Sequence, residues 1–175
     1  PLQCKMIIEA GREEPKENAS VGAGQKGGAT VDTKTRTSHI SWIPFKKMPE
    51  MYKDIEKTMK ATNGNHFGFD GMQITEMAQY TEYPSGGFYD WHMDSNINFE
   101  QEPPVRKISM TCLLSDPSEF TGGDLLFSEM GDNKPLPLKQ GQAIFFASFL
   151  RHKVAPVKKG VRKSLVMWFG GPPFK

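Results

Sequence analysis

Four histidines occur in this sequence of 175 residues, and two of them stand where they could hold a metal. His92 lies in Tyr89-Asp-Trp-His-Met-Asp94, and His152 in Phe149-Leu-Arg-His-Lys-Val154. On a strand, side chains two apart project to one face, so His92 and Asp94 would present an imidazole and a carboxylate to a single point. A ligand from a distant strand would complete two histidines and a carboxylate on one face of an octahedron. Three positions would stay open, the arrangement of non-haem Fe(II) oxygenases. His152 is the natural candidate for that third ligand. Taken alone, His-x-Asp also fits a surface strand turn. His39 and His66 have no partner at useful spacing and read as surface or packing residues.

Ten residues beyond His152 stands Arg162, in His152-Lys-Val-Ala-Pro-Val-Lys-Lys-Gly-Val-Arg-Lys-Ser164. Pro156 and the Lys159-Gly160 turn predict that His152 and Arg162 lie on consecutive strands of a hairpin and face one cavity. An arginine pointing into a barrel is costly unless it meets an anion. Its planar fork suits a carboxylate, and Ser164, two residues on, can add a hydroxyl. A metal with three open positions beside a carboxylate receptor describes a site for a short 2-oxo diacid. The 2-oxo acid end would take two positions and leave the third for O2.

These residues need a rigid frame, and the patterning supplies one. Apolar Met48, Met51, Tyr52, Ile55 and Met59 fall at helical spacing, with Pro49 near the start and Asn63-Gly64 as the stop. After Asn65 the pattern changes to short strand-like runs: Met72 to Tyr83, Phe88 to Asp94, Arg106 to Ser115, Asp124 to Ser128, Gln142 to Ala147, Lys153 to Val157 and Arg162 to Phe169. With Ser38 to Ile43 they make about eight strands, enough for a jelly roll. The stretch of about 11–37, rich in Gly, Ser, Lys and Glu, reads as a flexible loop. It lacks the strand, helix and Lys-Ser/Thr ending of a phosphate cradle.

Composition bounds the remaining choices. With 22 Lys and Arg against 20 Asp and Glu, the net charge is +2, and no long basic run marks a nucleic-acid footprint. Lys158, Lys159, Arg162 and Lys163 form the densest cluster, which a solvated turn also explains. A chain of this length buries about 70% of its unfolded surface, so residues 1–175 are expected to form one domain. Two cysteines cannot build a disulfide framework, and a reducing compartment is the default. The longest apolar run, Ala143 to Leu150, is far short of a membrane span, and no signal segment opens the chain. A cytoplasmic protein with no membrane partner is expected, its start at Pro1 reflecting processing or trimming.

The motifs in chain order are Tyr83-x-x-Gly86-x-x-Tyr89-x-x-His92-x-Asp94, Arg106-Lys-Ile-Ser-Met-Thr-Cys-Leu-Leu-Ser-Asp-Pro117, Phe120-Thr-Gly-Gly-Asp-Leu125 and His152-x-Val-x-Pro-Val-x-x-Gly-x-Arg162. Together they resemble the 2-oxoglutarate- and Fe(II)-dependent oxygenases of the prolyl 4-hydroxylase superfamily, nearest to the bacterial and phage PKHD-type hydroxylases. The resemblance spans Gln73 to Pro172. It implies a double-stranded β-helix, a mainly β jelly roll with flanking helices. It also implies that His92, Asp94 and His152 bind Fe(II) and that Arg162 holds the C5 carboxylate of 2-oxoglutarate. Tyr83 would touch the cosubstrate or line the substrate entrance. Ser164 or Thr111 would support Arg162, replacing a tyrosine that some relatives carry. The cofactors implied are Fe(II), 2-oxoglutarate and O2, with ascorbate as an optional addition.

The expected reaction is C–H hydroxylation with succinate and CO2 as coproducts, directed by the resemblance to a prolyl residue in a protein or peptide. Tyr89 and Trp168 are the candidate substrate contacts. Trp91, Phe145, Phe146 and Trp168 flank the ligands and serve mainly as core, with Trp91 turned from the metal if His92 faces it. The loop Ser95 to Pro104 beside the ligands is a candidate lid. A free small molecule such as an amino acid is the alternative substrate. Nucleic-acid repair fits less well, because the second arginine usual in such relatives is here Trp168. A cupin-like zinc or manganese protein would leave an inward Arg162 without a task, and a metal-free β-sandwich would leave the joined motifs without one.

Overall fold

The computed structural model describes residues 1–19, 33–97, 100–131 and 133–174. The chain opens with α1 (Leu2–Arg12), then β1 (Glu17–Asn18), β2 (Arg36–Thr37), β3 (His39–Ile43) and α2 (Pro49–Thr62). The strands β4 (Gln73–Ile74), β5 (Ala78–Tyr83), β6 (Phe88–His92) and β7 (Val105–Leu113) follow. Then come β8 (Phe120–Gly122), β9 (Leu125–Phe127), β10 (Ala143–Ala147), β11 (His152–Val154), β12 (Val157–Gly160) and β13 (Arg162–Gly171). The major sheet runs β1-β3-β5-β13-β7-β10, with β4 also on β13, and the minor sheet runs β2-β6-β11-β9. All paired strands are antiparallel. The expected double-stranded β-helix is the fold observed.

Strand β13 shows how period-two sequence builds both the core and the cavity. Arg162, Ser164, Val166 and Trp168 face a cavity between the sheets. The alternate residues Leu165, Met167 and Phe169 point the other way, into the core that the major sheet shares with the helices. Each such buried apolar side chain contributes roughly 1.5–3 kcal/mol relative to exposure. Helix α2 starts with proline at its first position and turns Tyr52 and Met59 into that core. The Tyr52 hydroxyl donates to the Ile43 carbonyl and accepts from the Ala78 amide, tying the helix to β3 and β5.

Several expectations are corrected. The segment about 11–37 is not loop throughout: Arg12 closes α1, β1 pairs with β3, and β2 pairs with β6, while residues 20–32 lie outside the described residues. Helix α1 carries little local signal, because Gly11 is a poor helix former and no side chain caps its start, although Cys4, Ile7 and Gly11 are buried at helical spacing. Gly11 is needed where it stands, since a Cβ would meet the Tyr80 ring at 2.4 Å. The run from Met72 to Tyr83 breaks into β4 and β5, and Lys153 to Val157 splits between two sheets. Asp94 lies beyond the end of β6. The hairpin joining His152 to Arg162 does not form: β11 belongs to the minor sheet and β13 to the major, with β12 between them pairing to β8. The two residues face each other's sheet across the cavity. That satisfies the same inward pattern without a shared turn.

Candidate active site

His92 and His152 are direct partners in the ladder between β6 and β11, which sets their imidazole centroids 4.2 Å apart. Asp94 reaches the same point from just past β6, because its backbone amide donates to the Ser148 carbonyl at 2.9 Å. Its Oδ1 lies 3.4 Å from His92 Nε2 and 3.6 Å from His152 Nε2. Each imidazole donates its Nδ1–H to a carbonyl two residues back, that of Asp90 at 2.7 Å and Leu150 at 2.9 Å. With Nδ1 carrying the hydrogen in each ring, the neutral form has its Nε2 lone pair free for a metal. The donor set fits a divalent metal: two imidazole nitrogens and one carboxylate oxygen, all within 4.8 Å of one another.

The electrostatics agree with the geometry. Burial opposes ionisation of Asp94, but His152, His92 and a hydrogen bond from Ser109 outweigh it and hold the carboxyl well below its usual range. Burial pulls the His152 pKa down, against the attraction of Asp94. Ser109 Oγ donates to Asp94 Oδ2 at 2.7 Å and lies 2.9 Å from Ser148 Oγ; both serines are fully buried.

The ligands open into a cavity of about 870 Å³ lined by both sheets. Arg162 enters it from β13, 3% exposed, opposite Tyr83 on β5 and with its guanidinium 5.8 Å from that ring's centre. No carboxylate among the described residues forms a salt bridge with it, and burial lowers its pKa, partly opposed by Tyr83 and Asp124. The Gly-Gly of Phe120-Thr-Gly-Gly-Asp makes room for it: a Cβ at Gly123 would lie 3.0 Å from Arg162 Cδ, at a backbone φ of +68°. Ser164 and Thr111 line the same cavity, on adjacent paired strands.

The two candidate substrate contacts differ. Tyr89 lines the cavity but stacks on His92, with centroids 3.4 Å apart, and burial pushes its phenol up to about 12. Trp168 stands farther along β13 beneath the Arg106 guanidinium, 4.0 Å from its ring. Trp91 faces away, beneath Lys153 and Arg151. Phe146 lines the cavity, whereas Phe145 packs on Phe169. In the basic cluster, Lys158 and Lys159 are exposed, Lys163 pairs with Glu119, and Arg162 is buried. In the candidate lid, residues 98 and 99 lie outside the described residues.

Sequence reasoning missed three groups. Arg36 lies over the other face of Tyr89 at 4.4 Å and donates to Ser38 and Gln79. It stood in the segment read as loop, where no periodicity marked it. Ser148 follows β10 with no motif to announce it. Arg106 grips Glu76 with both prongs of its fork, a pairing that charge alone could not select among 20 acids.

A jelly roll whose minor sheet offers two histidines and a carboxylate, while its major sheet offers a buried arginine, defines a metal-dependent oxygenase of the cosubstrate-binding kind. The match of residues 78–170 to the 2OG-Fe(II) oxygenase superfamily makes the assignment specific: the chain belongs to that family, and curated PKHD-type hydroxylases are similar to it. A PKHD-type hydroxylase of Aliarcobacter butzleri is 33% identical over 92 residues, 51% of this chain and 41% of the relative. One from Colwellia psychrerythraea is 26% identical over 96% of this chain and 73% of its own length. The matched stretch thus spans less than half of several curated relatives. Among solved structures, viral collagen prolyl hydroxylase from Paramecium Bursaria Chlorella virus-1 superposes with a TM-score of 0.73 at 22% identity, over 96% of this chain and 89% of the other. A Pseudomonas putida prolyl-4-hydroxylase gives 0.69 at 20%, covering 97% and 87%. These two likenesses bear on the fold. The family is one of Fe(II), 2-oxoglutarate and O2, and the triad fits iron. No helix among the described residues is long and apolar enough to cross a membrane.

Proposed function

We propose that residues 1–175 form a single catalytic domain, an Fe(II)- and 2-oxoglutarate-dependent dioxygenase that hydroxylates a prolyl residue in a protein or peptide. The observation that carries this reading is the pairing of the inward-facing His92, Asp94 and His152 with a buried Arg162 that has no carboxylate partner among the described residues. Bound iron with its cosubstrate would supply O2 activation, with succinate and CO2 as coproducts. The protein's part is positional. His92, Asp94 and His152 occupy one face and leave the other open; Arg162, with Ser164, Thr111 and Tyr83 beside it, receives the C5 carboxylate and so fixes which way the cosubstrate lies. Phe146 and Val154 narrow the cavity with apolar surface and keep bulk water from the reacting centre. Peptide as the substrate class is supported by the structural neighbours, among them a Trichoplax adhaerens prolyl hydroxylase in complex with a hypoxia inducible factor peptide fragment.

The test is anaerobic addition of Fe(II) and then 2-oxoglutarate to the metal-free protein, watching for a visible metal-to-ligand charge-transfer band. A band lost in His152→Ala and weakened in Arg162→Ala is expected. Its absence from folded wild-type protein would overturn the reading.

A further inference from the structure

Two of the three candidate ligands depend on one turn, Ala147–Leu150, which a bond from the Leu150 amide to the Ala147 carbonyl closes at 2.9 Å. The Ser148 carbonyl accepts the amides of Asp94 at 2.9 Å and of Ser95 at 3.1 Å. Two residues on, the Leu150 carbonyl accepts from His152 Nδ1. Whatever fixes this turn therefore bears on the metal site.

One hold on the turn is made by the backbone, from the Ser148 amide to the Lys107 carbonyl at 2.9 Å. The other is made by side chains and comes from the residues after β13. Phe149 packs edge-on against Phe174, with ring centroids 6.1 Å apart, and Phe174 packs edge-on against Phe69 at 6.3 Å. Phe69 is a fixed base, because the Asn63 side chain bonds its amide at 3.0 Å and its carbonyl at 2.8 Å. The Lys107 ammonium completes the cluster: it lies 4.8 Å from the centre of the Phe174 ring, 5.5 Å from that of Phe69 and 3.5 Å from the Pro173 carbonyl oxygen. Lys107 is 5% exposed and forms no salt bridge with a described residue. A buried ammonium is costly without compensation, and here the ring faces and the carbonyl supply it. A bulge puts it there. Where β13 steps from Phe169 to Gly170, its partner positions on β7 step from Ile108 to Arg106, so Lys107 is left unpaired. Such a bulge re-aims a side chain: Arg106 lines the cavity, and Lys107 turns to the aromatic rings.

We propose that Phe174 is a positioning residue for the metal site: seated between Phe149, Phe69 and the Lys107 ammonium, it holds the Ala147–Leu150 turn in the shape that presets Asp94 and His152. Phe174 does not line the cavity, so its effect passes through Phe149 and Lys107. The inference rests on the oxygenase reading above for the metal and goes further in tying the site to the segment after β13. Metal affinity, rather than cosubstrate affinity, registers the loss of this support.

The experiment titrates Mn(II) into the full chain by calorimetry and compares wild type with three variants at position 174. Phe174→Ala should raise the Mn(II) dissociation constant about tenfold, and Phe174→Leu should raise it less. Phe174→Tyr, which keeps a ring face for Lys107, should bind as wild type does. At saturating Mn(II), 2-oxoglutarate affinity should stay within about twofold in all three, since Arg162 takes no support from this turn. Tyr52→Phe, which loosens α2 instead, should lower the melting temperature without moving the Mn(II) constant. In the metal-free protein, hydrogen exchange followed by NMR at the Asp94 and Ser95 amides should quicken about tenfold relative to Tyr80 in Phe174→Ala. Unchanged Mn(II) affinity and Asp94 exchange in folded Phe174→Ala, or an equal loss of affinity in Tyr52→Phe, would overturn the proposal. Should Phe174→Ala not fold, Phe174→Leu decides by the same two readings. The exchange measurement needs neither metal nor cosubstrate, so a missing charge-transfer band in wild type would overturn the oxygenase reading alone.

Discussion

Ser109 decides which way the Asp94 carboxylate faces. Its hydroxyl occupies Oδ2 and leaves Oδ1 for the two imidazoles, and Ser148 holds the serine from behind while its carbonyl receives the Asp94 amide. Partners of this kind tune metal affinity by about 10–100-fold. Ser109→Ala, which removes a hydroxyl and adds no bulk, should weaken Fe(II) or Co(II) binding by about that factor. A direct metal titration giving wild-type affinity would remove Ser109 from the role. Arg162 admits a sharper test, because its charge is buried. Arg162→Ala should raise the 2-oxoglutarate dissociation constant by an amount equivalent to about 2–5 kcal/mol, with Arg162→Lys between the two. Titrating the charge-transfer band with cosubstrate measures both, and unchanged affinity would exclude the assignment.

At the scale of elements, α1 is fastened to the major sheet by packing and by charge. Its last turn lies on Tyr80, and Arg12 bonds Glu82 at 2.8 Å, which also accepts from the Tyr80 hydroxyl at 2.6 Å. Burial disfavours the Glu82 carboxylate, yet these two partners more than offset it and lower its pKa. A carboxyl whose pKa is lower folded than unfolded adds stability above the unfolded value. That stability disappears as pH falls through the folded value. Wild type should therefore melt above Glu82→Gln at pH 7, and the difference should vanish as pH falls through and below the ordinary glutamate range of about 4.3. With Arg12 more than half exposed, the contribution is below about 1 kcal/mol, or at most roughly 2–4 °C. Melting curves at several pH values check it; a gap that widened toward acid would contradict the sign.

For the molecule as a whole, the site joins two sheets: the candidate metal ligands come from the minor sheet and its edge, the anion receptor from the major one. A metal that binds only the folded chain stabilises it by about 2.7 kcal/mol at 100 times its dissociation constant. Redox-inert Mn(II) should accordingly raise the melting temperature by roughly 5–10 °C. His152→Ala should lose the increment while folding normally without metal, which calorimetry would show. The sequence by itself determined the ligand types, the inward alternation along β13, helix α2 and the family motifs, because these are local patterns of period two or 3.6 that neighbouring residues encode. Only the tertiary structure decided that His152 stands opposite His92 in one ladder while Arg162 crosses from the other sheet. It also recruited Arg36, Ser148 and the Arg106–Glu76 fork. Pairing between strands some 60 residues apart is set by which faces can be buried together, and no local pattern records that choice.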